Sequence, residues 1–207
     1  MRLAGDCGIQ TPRAELRRVA DKDVMLVERF DRVVSADGKI ARRQMLSALG
    51  LLGIDEVDYA EVTYPDLAEA LRRHGHVADA RELFRRMVFN ILIGNTDDHA
   101  KNHAVFWDGL QCQLTPAYDI VAYRRVGHEA RQAMVVGSEG RDATVRNALT
   151  QSGRFGYSRE AAIEVVDVLE QMIAEHWRGR FEEAGVPDAL IQHFAQTSVL
   201  STAVRAR

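Results

Sequence analysis

The sequence predicts a mainly α-helical protein of the α+β class that carries small β-hairpins. Several segments repeat apolar residues at spacings of three and four, which is the pattern of helices that bury one face. Two pairs of short strand-like runs flank polar turns, which is the pattern of hairpins. The chain has 207 residues, of which 46% are hydrophobic and 28% charged. It is therefore long enough for one sizeable core or two small domains, and its composition excludes a disordered chain.

The first part of the chain predicts a short helix followed by a hairpin. The helix Arg2–Cys7 ends at Gly8, a residue type that tolerates the left-handed conformation of a helix C-terminus. The runs Leu16–Ala20 and Val24–Val27 flank the polar turn Asp21–Asp23, which predicts the hairpin. Three helices are then expected, at Gln44–Leu52, Asp66–His74 and Asp79–Ile93.

The helix Asp79–Ile93 is the best-defined element of the sequence. Its apolar residues form a wide stripe that we expect to lie in the core. The stripe consists of Leu83, Phe84, Met87, Val88, Ile91 and Leu92. Gly94 follows the stripe and predicts the end of the helix.

The later part of the chain predicts a second hairpin and more helices. Ala104–Trp107 and Gln111–Leu114 read as strands, and the Asp108-Gly109 pair between them is a strong hairpin signal. A strand is expected at Ala133–Val136. No repeat or linker divides the chain, so we predict one domain or one lobe. Helices are expected at Thr144–Thr150, Arg159–Trp177 and Asp188–Leu200.

Charge and composition exclude several classes of protein. Lys and Arg number 27 against 30 for Asp and Glu, a net charge of −3, so no overall basic field attracts nucleic acid. The arginine pairs at 72–73, 85–86 and 124–125 are expected to be solvated surface. With two cysteines and no CxxC pair, the sequence predicts neither a disulfide scaffold nor a Cys-rich zinc site.

Two further features concern location. The apolar stretch Met87–Thr96 is about half the length of a bilayer span, and we expect no membrane association. Asp6 lies where a signal peptide would need an apolar core. We therefore expect a soluble, cytoplasmic protein.

The loop after the helix Asp79–Ile93 has the residues that phosphoryl transfer requires. That chemistry needs a carboxylate to orient the nucleophile and hard oxygen ligands for magnesium. In protein kinases an Asp followed five residues later by an Asn supplies the first two parts, and Asp97 and Asn102 have this spacing. The hairpin at 104–114 should return the chain to the loop, so Asp119 can be the third part.

Each of these residues taken singly has a structural explanation. Asp and Asn are frequent in loops because they cap helices and form Asx turns, and Asp98 is interpreted as such a cap. Lys101 reads as a solvated charge and His103 as the packed start of a strand. His99 and His103 have the spacing of zinc ligands, but the glutamate of an H-E-x-x-H motif is missing, which makes a zinc hydrolase a distant alternative.

Three segments together resemble the HipA-type toxin kinases. Ile93–Asn102, with the sequence IGNTDDHAKN, and Leu114–Ile120, with the sequence LTPAYDI, are similar to the catalytic core of that family. Val27–Arg32, with the sequence VERFDR, matches a further signature. Members of the family are serine/threonine protein kinases with a kinase-like fold, and most are toxins of bacterial toxin–antitoxin pairs.

The resemblance implies a role for each residue at a motif position. Asp97 would be the catalytic base, and Asn102 and Asp119 would be the Mg²⁺ ligands, in agreement with the reading from spacing. The expected cofactors are therefore ATP and Mg²⁺.

The resemblance also implies the residues that bind the nucleotide. Glu28, Arg29 and Phe30 would form the hinge, whose backbone hydrogen-bonds adenine. His99 and Tyr118 would line the nucleotide site. Composition and periodicity do not locate the hinge.

The resemblance implies a protein-kinase-like large lobe with small β-hairpins and a truncated small lobe. Residues 1–207 would be a HipA-like C-terminal kinase domain, with 1–32 the remnant of the small lobe and the hinge, and 33–207 the helical large lobe. No G-x-G-x-x-G loop or P-loop occurs in the sequence, and in the family these parts lie upstream of the position that matches Met1. We therefore expect the chain alone to be weakly active or inactive.

The resemblance names partners as well. The kinase would transfer the ATP γ-phosphate to a protein hydroxyl, with an aminoacyl-tRNA synthetase as a candidate substrate. A HipB-like antitoxin would bind the chain, and DNA would be reached only indirectly through the antitoxin. The alternative is a truncated or split, non-catalytic kinase lobe that acts as an interaction module for an antitoxin-like DNA-binding partner.

Overall fold

A long buried helix, α4 (Val77–Ile93), packs against several other helices of the chain. The computed structural model describes residues 1–123 and 130–205, with every side chain in them except those of residues 59 and 60. Helix α4 contacts the preceding helix and the long helix near the C-terminus. All six residues of the predicted apolar stripe are buried in the core, which confirms that prediction.

Helices and strands are both present along the chain. The helices are α1 (Arg2–Asp6), α2 (Ala48–Leu52), α3 (Tyr64–His74), α4 (Val77–Ile93), α5 (Val145–Leu149), α6 (Arg159–Glu183) and α7 (Asp188–Thr197). The strands are β1 (Ala14–Val19), β2 (Lys22–Val27), β3 (Arg32–Val34), β4 (Ile40–Arg42), β5 (Met45–Ser47), β6 (Ala104–Trp107) and β7 (Cys112–Leu114). Across residues 1–123 and 130–205, none of the helices is long and apolar enough to cross a membrane.

The strands form three small antiparallel sheets. β1 pairs with β2, and Val19 lies opposite Lys22, so the turn is Ala20-Asp21 and is shorter than the predicted turn Asp21–Asp23. β3 pairs with β4 in a hairpin that the sequence did not predict. The third sheet has the order β5-β6-β7 and contains the predicted Asp108-Gly109 hairpin.

The segment predicted as one helix at Gln44–Leu52 divides into a strand and a helix. Met45–Ser47 forms β5 because β6 offers an unpaired edge, and Leu46 lies opposite Val105 in the register. The side chain of Ser47 then caps α2 by accepting a hydrogen bond from the N–H of Gly50 at 3.2 Å. A short apolar run cannot distinguish strand from helix by periodicity alone, which explains the wrong prediction.

The strand expected at Ala133–Val136 does not form. Val135 makes a single parallel bridge with Thr63, and its carbonyl accepts a hydrogen bond from the N–H of Tyr64 at 3.0 Å. The segment pairs with the first turn of α3 at one point only, because a helix offers no ladder of free backbone groups along its length.

One predicted surface charge is buried. Arg86 is 3% exposed and pairs with Glu82, one turn earlier on α4, at 3.0 Å. Burial lowers the pKa of the Arg86 guanidinium. Arg85 donates a hydrogen bond to the carbonyl of Cys7 at 2.6 Å, so the pair at 85–86 is not a solvated face. The pair at 72–73 is exposed as predicted, and the pair at 124–125 lies outside the described residues.

Gly75, directly after α3, is required by a close backbone approach. A Cβ atom at this position would collide with the backbone carbonyl of Cys112 in β7. We expect Gly75→Ala to lower the free energy of unfolding by about 1–3 kcal/mol, the usual cost of overpacking. Urea denaturation provides the measurement.

The matched control is Gly179→Ala in α6, where an added Cβ meets nothing within 4 Å and stability should stay equal or rise. Equal stabilities for Gly75→Ala and the parent chain would contradict the prediction.

Candidate active site

The loop after α4 is held at both ends by backbone hydrogen bonds. Gly94 ends the helix with a left-handed φ of 75°, as predicted, and the N–H of Asn95 donates to the carbonyl of Asn90 at 2.8 Å. A 3₁₀ turn follows at Ala100–Asn102, where the N–H of Asn102 donates to the carbonyl of His99 at 2.9 Å. The loop therefore has a defined path between the helix and β6.

The structure brings Asp97 and Asn102 together. The side-chain amide of Asn102 donates to the backbone carbonyl of Asp97 at 3.4 Å, and Asn102 is buried. Asp97 is exposed, and its carboxylate accepts a hydrogen bond from the hydroxyl of Tyr123 at 3.2 Å. The amide thus fixes the loop, while the carboxylate stays accessible to a substrate.

Asp98 has a structural role that differs from the predicted cap. It is 3% exposed, and its carboxylate accepts hydrogen bonds from the hydroxyl of Tyr64 and, at 2.7 Å, from the side-chain amide of Asn90. The Nε2 atom of His103 lies 3.1 Å away. Burial alone would raise the pKa of Asp98, but the attraction of His103 and the donated hydrogen bonds outweigh it and hold the pKa below the ordinary value. This buried network ties the loop to α3 and α4.

The hairpin β6–β7 returns the chain to the loop, as predicted from the sequence. The hydroxyl of Tyr118 donates to the carbonyl of Lys101 at 2.9 Å, which joins the segment after β7 to the 3₁₀ turn. Burial raises the pKa of Tyr118 to about 12, and the charge of the adjacent Asp119 acts in the same direction. Asp119 itself is exposed and has a φ of 56°, a conformation that Asp tolerates better than most residues.

The predicted hinge borders an open cleft of about 480 Å³. The cleft is lined by Met25, Val27, Glu28, Arg29, Phe30, Asp31, Met45, Tyr118 and Asp119. The ring of Phe30 stacks on that of Tyr118, with centroids 5.8 Å apart, and meets the ring of Phe106 edge-on. Five of the eight predicted site residues therefore share one cleft.

The hinge residues are also tied to their surroundings. The N–H of Glu28 already donates to the carbonyl of Arg13 at 2.9 Å, so this group continues the β1–β2 pairing. The guanidinium of Arg29 forms two hydrogen bonds with the carboxylate of Asp31, at 2.9 and 2.7 Å. The side chain of Arg29 is therefore held by Asp31, the residue that directly follows the hinge.

The other three predicted residues lie outside the lining of this cleft. Asp97, His99 and Asn102 belong to the loop, and Tyr118 connects the loop to the cleft. His99 is half-buried and contributes its backbone carbonyl to the 3₁₀ turn. Lys101 is exposed, as predicted, and its ammonium lies 2.6 Å from the carboxylate of Glu56.

The chemistry of the donor atoms fits magnesium. In the part of the chain that the structure describes, no group of three or more His, Cys, Asp and Glu side chains could hold a metal. Mg²⁺ commonly uses one or two carboxylates together with substrate phosphates, and the oxygens of Asn102 and Asp119 are hard donors of that kind. His103 already uses its Nε2 atom on Asp98, which disfavours the zinc alternative.

Four residues of the site region were missed in the sequence. They are Tyr64, Asn90, Tyr123 and Arg86, which lines a small cavity together with Asp98 and Asn102. Asn90 did carry a signal, because an amide within the apolar stripe of a helix marks a buried polar contact. Nothing in the sequence pointed to Tyr64 or Tyr123, since their partners lie 34 and 26 residues away.

Comparison with solved structures defines the class of the fold. The structure matches the HipA of Shewanella oneidensis MR-1, solved in complex with HipB and operator DNA, with a TM-score of 0.75 and 21% identity. The match covers 94% of this chain and 51% of that one. It also matches the proinflammatory kinase CtkA of Helicobacter pylori, with a TM-score of 0.53, 10% identity and coverage of 84% and 80%. The fold is therefore kinase-like.

The sequence comparisons then identify the family. The chain belongs to the HipA-like C-terminal domain family, whose model matches residues 1–177. It is 28% identical to the putative kinase Y4mE of Sinorhizobium fredii over 98% of this chain and 44% of the relative. It is 26% identical to the serine/threonine-protein kinase toxin HipA of Shewanella oneidensis over 59% of this chain and 32% of the relative. The resemblance noted in the sequence is confirmed, and the chain spans about half the length of these relatives or less.

Proposed function

We propose that this chain is the catalytic part of a HipA-type serine/threonine protein kinase that transfers the γ-phosphate of ATP to a protein hydroxyl. The observation that carries the proposal is the accessible carboxylate of Asp97 on a loop fixed by Asn102. The cleft lined by Tyr118 and Asp119 is joined to this loop by the hydrogen bond from the Tyr118 hydroxyl to the Lys101 carbonyl.

Asp97, Asn102 and Asp119 each have a chemical role in this proposal. Asp97 accepts the proton of the attacking hydroxyl, a contribution typically worth about 10²–10⁴ in rate. Asn102 and Asp119 provide the oxygen ligands for Mg²⁺. The chemistry that the ion supplies when bound is neutralisation of the phosphate charge.

The cleft suits a nucleotide in size and character. A volume of about 480 Å³ lies within the usual range for small-molecule sites. Phe30 and Tyr118 offer an aromatic wall against which adenine packs, and the hinge Glu28–Phe30 runs along the same cleft. His99 lies outside the lining of this cleft, and its place at the nucleotide is proposed from the family resemblance alone.

The sequence contains no Gly-rich loop that would cover the phosphates. Removing a single preorganised donor to a reacting group typically costs about 10²–10³ in rate. We therefore propose that the chain by itself transfers phosphate weakly.

Magnesium dependence tests the proposal. We expect Asp119→Asn to raise the Mg²⁺ concentration needed for half-maximal transfer by at least about tenfold, because losing even an outer-shell partner of a metal costs 10–100-fold. The measurement is transfer of radiolabelled phosphate from ATP to dephosphorylated casein, titrated with Mg²⁺. Asp108→Asn at the exposed hairpin turn is the matched control and should behave as the parent chain. Transfer that survives EDTA, or an unchanged Mg²⁺ requirement in Asp119→Asn, would contradict the metal assignment.

A second candidate is a non-catalytic module that binds a HipB-like antitoxin, with DNA contacted only through that antitoxin. Two observations favour it. The HipA structure that this chain resembles is a complex with HipB and operator DNA. Leu16 and Met25 lie opposite each other in the β1–β2 hairpin and are 48% and 55% exposed, so they form an apolar surface suited to contact with another polypeptide. In the assay above, a chain of this kind shows no Mg²⁺-dependent transfer of phosphate.

The kinase proposal extends to substrate and location. By analogy with the family, we propose an aminoacyl-tRNA synthetase as a candidate protein substrate and the cytoplasm as the location.

A further inference from the structure

We propose that Tyr123 is a positioning residue that holds the Asp97 carboxylate in the orientation needed for phosphotransfer, an inference that rests on the proposed function. Within residues 1–123 and 130–205, the hydroxyl of Tyr123 is the one side-chain group found bonded to that carboxylate. It donates to Oδ2 at 3.2 Å. Tyr123 follows the proposed metal ligand Asp119 by four residues, so the same segment carries both groups.

The backbone of Tyr123 is anchored on two sides. Its N–H donates to the carbonyl of Gly94, the residue that ends α4, at 3.4 Å. Its carbonyl accepts a hydrogen bond at 2.8 Å from the hydroxyl of Ser198, which is fully buried just after α7. The phenol therefore extends from a point fixed by the core and not from a free loop.

The carboxylate of Asp97 needs a second group to fix its orientation. It is exposed, and the hydrogen bond from Asn102 reaches its backbone carbonyl and leaves its side chain unrestrained. A catalytic group has to be held within about 10–20° of its working orientation. A carboxylate has two oxygens with two lone pairs each, so a bond from Tyr123 to Oδ2 leaves Oδ1 for the substrate hydroxyl.

The electrostatics keep Tyr123 in the donating form. Partial burial raises its pKa, and the negative charges of Asp97 and Asp119 raise it further. The phenol thus stays protonated at neutral pH and lies within electrostatic reach of both carboxylates. Tyr123 is therefore close enough to interact with the charges of both the proposed base, Asp97, and the proposed metal ligand, Asp119.

The alternative role for the same contact is inhibition of the reaction by the Tyr123 phenol. A phenol at Asp97 could occupy the place of the substrate hydroxyl, and its removal would then speed the reaction. Among residues 1–123 and 130–205, the phenol bonds Oδ2 of Asp97 and no side chain bonds Oδ1, which favours the positioning role. The sign of the effect on rate separates the two roles.

The kinetic test compares Tyr123→Phe with Tyr157→Phe, a matched change at a half-buried tyrosine that packs on Phe84. In the full chain, with ATP, Mg²⁺ and dephosphorylated casein, we expect Tyr123→Phe to lower kcat by about 10- to 100-fold. The KM for ATP and the thermal midpoint should not change. Tyr157→Phe should leave all three as in the parent chain. An unchanged or higher kcat in Tyr123→Phe, in a parent chain that is active, overturns the inference and leaves the proposed function standing.

A spectroscopic test reports the contact without relying on turnover. The chain has five tyrosines, which can be labelled with ¹³C at Cζ, and the Tyr123 signal can be identified by its loss in Tyr123→Phe. We expect the Tyr123 phenol to titrate at lower pH in Asp97→Asn than in the parent chain, because a negative charge is removed beside it. An unchanged titration overturns the inference. A parent chain with the contact but no phosphotransfer that depends on Asp97 contradicts the proposed function, and the positioning role with it.

Discussion

The Asp97→Asn variant is expected to lose phosphotransfer by about 10²–10⁴-fold while remaining folded. An amide cannot accept the proton of the attacking hydroxyl, but it has nearly the same shape as the carboxylate. Asp97 is exposed, and the bond that fixes the loop reaches its backbone carbonyl and not its side chain. The fold therefore has little dependence on its charge.

Two measurements check this result. The initial rate of phosphate transfer from Mg²⁺-ATP to dephosphorylated casein gives the loss of activity, and the midpoint of thermal unfolding shows whether the fold is kept. Asp108→Asn makes the same chemical change at the exposed hairpin turn and should affect neither quantity. An Asp97→Asn protein with the activity of the parent chain would show that Asp97 is not the base.

The Asp98→Ala variant is expected to lose about 3–5 kcal/mol of stability. The carboxylate is buried and accepts hydrogen bonds from Tyr64, Asn90 and His103. Its removal leaves three buried polar groups without their acceptor, and each such group typically costs about 1–3 kcal/mol. We also expect the loop to lose its order, since Asp98 ties it to α3 and α4.

Urea denaturation at neutral pH measures this loss. The control is Asp97→Ala, the same change one residue earlier at an exposed position, which should stay within about 0.5 kcal/mol of the parent chain. A loss below about 1 kcal/mol in Asp98→Ala would contradict the importance of the buried network. The two adjacent aspartates are thus expected to separate stability from activity.

The elements that could be predicted are those that depend on nearby residues. The apolar stripe of α4, its end at Gly94 and the Asp108-Gly109 hairpin all follow from residues within a few positions of one another. The spacing of Asp97 and Asn102 is local too, and the hairpin made the return of Asp119 predictable. The roles of the eight candidate residues remain predictions.

The elements that were mispredicted depend on distant partners. Met45–Ser47 has an apolar pattern that suits a helix, and it becomes a strand because β6, about 60 residues later, offers a free edge. Arg86 looks like a surface charge in sequence, and it is buried because the chain packs over that side of α4. Neither partner can be recognised from the local sequence.

The sequence by itself therefore predicted a mainly helical fold with small hairpins and the order of the candidate catalytic residues, because helix periodicity, hairpin turns and motif spacing are local properties. The kinase-like class came from the resemblance of its motifs to a known family. Only the tertiary structure decided which of two adjacent aspartates is exposed and which is buried. That distinction depends on the hydrogen bonds of Tyr64 and Asn90 to Asp98, whereas Asp97 is exposed and bonds to Tyr123. Burial and hydrogen-bond partners arise from packing between distant segments, so the local sequence around a residue does not predict them.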